Sequence, residues 1–204
     1  MLINRHVLWG GMRRVFIFLH GADRETFMRL KPRIDEPIIC ADSGIRLAMR
    51  LPYIPTVLTL IGDLDSVTGT EIKWCRKHGY RTIKHVPEKD FTDGHLALAQ
   101  ACKEHDKKTK KICIGGMTEQ LDHTLGNLLS AIPYAKKGHT ILFLGGRQRV
   151  YVLTEELHVK KCKGHIFSLI PLTRTIVKKT SGLQWKLEKE EIAPYQSRTL
   201  RNIA

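Results

Sequence analysis

A chain of 204 residues can bury a substantial core as one large domain or two small ones. Its 42% hydrophobic and 26% charged residues exclude a disordered polymer, and apolar stretches such as 57–62 and 140–145 are too short to span a bilayer. The formal net charge of +14 admits nucleic acid as a partner, but the basic runs at 103–111, 135–138, 159–164 and 176–180 lie between apolar segments. With few aromatics among them and no nucleic-acid motif, they are read as solvated faces, so no nucleic-acid partner is expected.

Residues 1–11 precede a second methionine, Met12, and are read as an appended extension without the apolar core of a secretory signal. The run 15–19 (VFIFL) predicts a buried strand stopping at His20-Gly21. A second strand, 38–41 (IICA), stops at Asp42-Ser43-Gly44, and 45–50 has helical spacing. A third, 57–61 (VLTLI), runs into Gly62-Asp63. Helix 71–78 ends at Gly79, and a short strand at 82–85 precedes Pro87. Thr92 or Asp93 caps a helix reaching about His105. Strand 111–114 ends in Gly115-Gly116, helix 121–131 follows, and strand 140–144 ends in Gly145-Gly146. Five scattered cysteines (Cys40, Cys75, Cys102, Cys113, Cys162) with no CxxC predict reduced thiols, a cytoplasmic location and no zinc site.

Repeated strand–helix alternation with fully apolar strands predicts an α/β domain over 12–146. Its mostly parallel, Rossmann-like sheet would be covered by helices on both faces. From 147 the texture changes to short alternating segments at 150–153, 157–159, 165–171, 175–178 and 184–187. These predict a small antiparallel β-sandwich domain, 147–204.

Six aspartates gather in four short segments: Asp42 (ADSG), Asp63 and Asp65 (IGDLDS), Asp90 and Asp93 (EKDFTD), and Asp122 (QLDHTLGN). Open α/β sheets bind ligands at the carboxyl ends of their strands, where most of these segments fall. Several carboxylates brought together repel one another unless cations sit between them. Hard divalent ions such as Mg²⁺ take one or two carboxylates plus substrate phosphates. Turn chemistry and helix capping account for some of these residues equally well, although capping gives no reason for Asp90. No Walker motif, GxGxxG or GxSxG elbow is present.

The order ADSG, IGDLDS, PEKDFTD, GGMTEQLDHTLGN and GLQWKLEKEE resembles bacterial-type thiamine pyrophosphokinases over 12–202. The resemblance implies an α/β catalytic domain followed by a small β-sandwich, arranged as a homodimer. It implies transfer of the pyrophosphoryl group of ATP to the hydroxyl of thiamine, giving thiamine diphosphate and AMP. By the same resemblance Asp63, Asp65 and Asp90 hold Mg²⁺ on the triphosphate, and Asp93 contacts nucleotide or metal. Asp42 is the acidic residue after the second strand, and Asp122 lies near the metal or the attacking hydroxyl. Ser66, Lys89 and Asn127 contact phosphate or nucleotide, while Trp185, Thr199 and Asn202 face thiamine. Asp122 or Asp42 is the candidate acceptor of the hydroxyl proton. The chain departs from the family at Arg201, where a small hydroxyl residue is expected. Two alternatives are a pyrophosphokinase for another hydroxymethyl heterocycle, such as a pterin, and a non-catalytic nucleotide- or thiamine-binding module.

Overall fold

The computed structural model describes residues 13–86, 91–118, 120–160 and 162–204. The chain forms two compact units, one spanning Gly11–Glu156 and one containing Leu157–Ala204. The expectation about residues 1–11 lies outside the described residues, as do Lys89 and Asp90.

In the larger unit, chain order runs β1 (Arg14–Phe18), α1 (Arg24–Met28), β2 (Ile38–Ala41), a 3₁₀ turn (Asp42–Gly44) and α2 (Ile45–Met49). It continues through β3 (Leu58–Gly62), α3 (Gly69–Lys77), β4 (Arg81–Lys84), α4 (Asp93–Glu104) and β5 (Lys110–Ile114). It ends with α5 (Leu121–Ser130), α6 (Ile132–Lys136), β6 (Ile141–Gly145) and β7 (Gln148–Val152). The sheet order is β4-β3-β2-β1-β5-β6-β7. All neighbours are parallel except β7, which pairs antiparallel with β6 at the edge. The fold is therefore a mostly parallel sheet flanked by helices.

The apolar run of β1 makes it a central strand buried on both faces. Phe16 and Phe18 each pack edge-on against Phe27 of α1, with ring centroids 4.9 Å apart. On the opposite face Val15, Ile17, Ile39, Ile61 and Phe143 join Ala97, Leu98 and Ala101 of α4. Each large apolar side chain buried in this way contributes about 1.5–3 kcal/mol. The small alanines let α4 lie close on the sheet.

The amino-terminal edge of the sheet is tied down by buried charge. The Arg14 guanidinium donates to both Glu36 oxygens, at 2.6 and 2.7 Å, and to the Leu30 carbonyl at 2.9 Å. Lys111 is fully buried, and its ammonium donates to the carbonyls of His105, Asp106 and Thr109 at 3.1, 2.5 and 2.9 Å. At the start of α3, Thr68 and Glu71 form a capping box that satisfies otherwise orphaned amides.

Two differences from the sequence reading concern the C-terminal part. The apolar segment at 150–153 does not begin the small unit; it lies largely within β7, and the boundary between units falls at Glu156/Leu157. β7 is nowhere fully buried, as an edge strand with one neighbour, and lacks the continuous apolar run of the inner strands, which made it look like part of a separate β domain. Among the described residues, the smaller unit holds two antiparallel pairs, β8 (Ile166–Phe167) with β11 (Asn202–Ile203) and β9 (Thr175–Lys179) with β10 (Glu188–Ile192). The segments 157–159 and 184–187 are not strands. β10, with the sequence EKEEI, carries almost no apolar signal because most of its side chains are exposed.

Candidate active site at the carboxyl ends of the strands

The chain proceeds from β1 outward to β4 and then returns to the other side of β1 with β5. That reversal is where open α/β sheets bind ligands. Asp42 follows β2 directly, with φ +43, and is buried at 7% exposure. The turn is pressed against β1: a Cβ on Gly44 would overlap the Phe18 carbonyl, so only glycine fits there.

The turn after β3 is organised around Asp42. Its Oδ1 accepts the Leu64 amide at 3.2 Å, and its Oδ2 accepts the Ser66 hydroxyl at 3.1 Å. Asp63 Oδ1 accepts the Asp65 amide at 3.1 Å, a local turn closed by the aspartate itself. Arg46 of α2 donates to the Ser66 carbonyl at 2.6 Å and to Glu71 at 2.9 Å, fixing the far end of the turn. The result brings one carboxylate oxygen from each of Asp42, Asp63 and Asp65 within 4.8 Å of one another. Asp42 is buried, Asp63 half-buried and Asp65 exposed.

Asp93 reaches the same place from α4, where Thr92 is the N-cap and accepts the His95 amide at 3.2 Å. Gly62 shows how close the groups come. With φ +150, any Cβ there would overlap Asp42 Oδ1 and lie 3.0 Å from Asp93 Oδ1. Burial, then the nearby Asp93 and more weakly Asp63, pushes the Asp42 carboxyl up to about 6 against the opposing bonds from Leu64 and Ser66. A hard cation placed among these oxygens would offset that repulsion, and the all-oxygen donor set suits Mg²⁺.

The remaining expected residues fall elsewhere. Asn127 of α5 donates to the Gly116 carbonyl at 2.9 Å, and a Cβ on Gly94 would lie 2.6 Å from its Oδ1. It thus clamps the β5–α5 loop against the start of α4. Gly115 and Gly116, at φ +83 and +72, let that loop turn back so that the Gly116 amide meets the His20 carbonyl at 2.8 Å. Asp122, in the first turn of α5, is exposed, 4.0 Å from His123, and outside the three-carboxylate group.

In the smaller unit, Trp185 is exposed at 55%. Asn202 is buried, and its amide group is used internally. Its Oδ1 accepts the amides of Trp185 (3.1 Å) and Ile203 (2.9 Å), and its Nδ2 donates to the Trp185 carbonyl at 2.6 Å. Thr199 is also buried and donates to the Leu169 carbonyl at 2.5 Å. Arg201, between them, has φ +57 and an exposed side chain.

Sequence reasoning passed over Gly62 and Arg46. Gly62 carried a readable signal, a glycine joining an apolar strand to a DxD turn, which marks close approach. Arg46 carried none, since its partners are a backbone carbonyl 20 residues away and Glu71.

Residues 34–143, more than half of the chain, match the family profile of the thiamin pyrophosphokinase catalytic domain. No curated protein sequence matches the chain significantly. Among solved structures, the thiamine pyrophosphokinase of Bacillus subtilis superposes with a TM-score of 0.76 at 20% identity, covering 94% of this chain and 89% of that one. Yeast thiamin pyrophosphokinase gives 0.66 at 16% identity over 95% and 80% of the two chains. A thiamin pyrophosphokinase family protein of Enterococcus faecalis gives 0.64 at 19% over 94% and 89%. These likenesses carry the fold, and the family-matched segment runs from before β2 into β6 and holds the three clustered carboxylates. The chain belongs to the thiamin pyrophosphokinase family.

Proposed function

We propose that this protein transfers the pyrophosphoryl group of ATP to the hydroxyl of thiamine, releasing AMP. The observation that carries the reading is the meeting of Asp42, Asp63 and Asp65 at the strand ends within the family-matched segment. Attack of an alcohol on the β-phosphorus requires positioning and charge neutralisation more than covalent chemistry. Mg²⁺ held by Asp63, Asp65 and Asp90, with Asp93 contacting nucleotide or metal, would supply that neutralisation on the triphosphate. Gly115 and Gly116, held by Asn127, offer a loop into which a phosphate or nucleotide can approach closely. Lys89 and Ser66 belong to the phosphate-facing set, and Asp122 to the hydroxyl-facing one. Trp185, exposed on the smaller unit, offers a ring to stack on thiamine.

The reading also takes the protein to be a homodimer in the cytoplasm. The exposed apolar side chains Ile166, Ile170, Ile176 and Tyr195 of the smaller unit support the first, and five free cysteines support the second.

The test is incubation with ATP, Mg²⁺ and thiamine, with AMP and thiamine diphosphate measured together. Asp63→Asn and Asp65→Asn are expected to lower turnover by about 100-fold or more with the fold intact by circular dichroism. Full activity of both variants would refute the metal-site reading. Product with a pterin and none with thiamine would move the acceptor and keep the reaction.

A further inference from the structure

We infer that Asp42 is a positioning residue: its carboxylate holds the Asp63–Ser66 turn in ligating shape and is not one of several equivalent metal ligands. The inference rests on the metal-site reading above.

Three features of the geometry separate Asp42 from Asp63 and Asp65. Both of its oxygens are engaged with the turn itself, Oδ1 by the Leu64 amide at 3.2 Å and Oδ2 by the Ser66 hydroxyl at 3.1 Å. These bonds bracket Asp65, which lies between the two gripped residues. Asp42 is also buried, whereas Asp65 is exposed and Asp63 half-buried, so the solvent-facing oxygens belong to the other two.

The backbone beneath Asp42 is fixed as well. Its φ of +43 is adopted by few residues other than glycine and asparagine or aspartate. The turn there is pinned where Gly44 meets the Phe18 carbonyl, and the carboxylate lies in the space beside β3 that a side chain at residue 62 would fill. Arg46 then holds the Ser66 carbonyl at 2.6 Å from the other side. The turn is therefore gripped at Leu64 and at both ends of Ser66. A carboxylate oxygen keeps a second lone pair when it accepts one hydrogen bond, so the two roles separate only when the charge and the hydrogen bonds are removed independently.

Asp42→Asn does this. Its carbonyl oxygen still accepts from Leu64, and its amide donates to the Ser66 hydroxyl, while the charge is lost. Asp42→Ala removes both bonds and the charge, and Ser66→Ala removes one bond and keeps the charge. Two readouts are taken, Mn²⁺ affinity by paramagnetic titration and hydrogen exchange of the Leu64 amide in the metal-free protein. A positioning role predicts that Asp42→Asn binds Mn²⁺ within about threefold of the parent and keeps Leu64 protected. Asp42→Ala then loses about tenfold or more in both, and Ser66→Ala falls between. If Asp42→Asn weakens Mn²⁺ binding as much as Asp63→Asn, or if Asp42→Ala leaves Leu64 exchange unchanged, the inference is wrong. A parent protein that binds no Mn²⁺ would overturn the metal-site reading instead, and the Leu64 exchange would still test what Asp42 holds.

Discussion

Gly62→Ala is the smallest change that reaches the centre of the site. The residue has φ +150, a region in which a side chain costs about 1–3 kcal/mol. Its new methyl would overlap Asp42 Oδ1, lie 2.8 Å from Asp42 Cγ and 3.0 Å from Asp93 Oδ1. Those neighbours cannot yield freely. Asp42 is buried and hydrogen-bonded to Leu64 and Ser66, and Asp93 is fixed in the first turn of α4. Rotating the Asp42 carboxylate away breaks two bonds to a charged group, each contributing about 1.5–3 kcal/mol, part of which water restores. The net loss is about 2–4 kcal/mol, which lowers the melting temperature of a chain this size by roughly 5–15 °C. The displaced turn also misplaces Asp63 and Asp65, and a shift of about 1 Å in a phosphoryl-transfer site costs on the order of 100-fold in rate. Calorimetry in EDTA isolates the stability effect from metal binding, and AMP release with Mg²⁺ and ATP gives the catalytic one. A variant that melts within about 2 °C of the parent and keeps its full rate would refute the packing argument.

Lys111→Met removes a buried ammonium that caps three carbonyls between α4 and β5, and is expected to cost about 2–4 kcal/mol in urea unfolding. Because Lys111 lies near the amino end of β5, away from the carboxylates, the folded variant should retain the parent rate. Asn202→Ala is expected to speed amide exchange at Trp185 and Ile203, whose N–H groups its Oδ1 accepts. A residue acting only as a thiamine contact would raise the KM for thiamine and leave that exchange unaltered.

The parallel sheet was legible because its strands are buried on both faces, and continuous apolar runs such as VFIFL and TILFL follow from that burial. The gathering of Asp42, Asp63 and Asp65 was legible because each lies just beyond a strand, and topology carries those ends to one edge. Asp122, expected at the same edge, lies outside the group, and Asp93 comes near Asp42 from a helix start. Less could be read where burial is partial. β10 is a strand by virtue of its pairing with β9, not its composition, and β7 resembled a detached β segment because it sits at a sheet edge. Short helices such as α1 and α6 depend on tertiary contacts of a few residues, Phe27 and Ala135 among them, and give no periodic pattern. The role of Gly62 required knowing that Asp42 and Asp93, 51 residues apart, meet over it.

The buried acids of this protein divide by what stands beside them. Glu36, 2% exposed, is met by the Arg14 guanidinium, and Glu71, 8% exposed, by Arg46. Both belong to the scaffold, each closing a connection between elements. Asp42, equally buried, accepts instead from a backbone amide and a serine hydroxyl, with two further carboxylates nearby raising the cost of its charge. A protein with 14 more positive than negative charges has arginines in ample supply for such a position. Placing one here would have removed the repulsion and filled the space that the proposed cation would take. Neutral donors shape the turn without placing a positive side chain among the oxygens of Asp63 and Asp65 that would hold that cation.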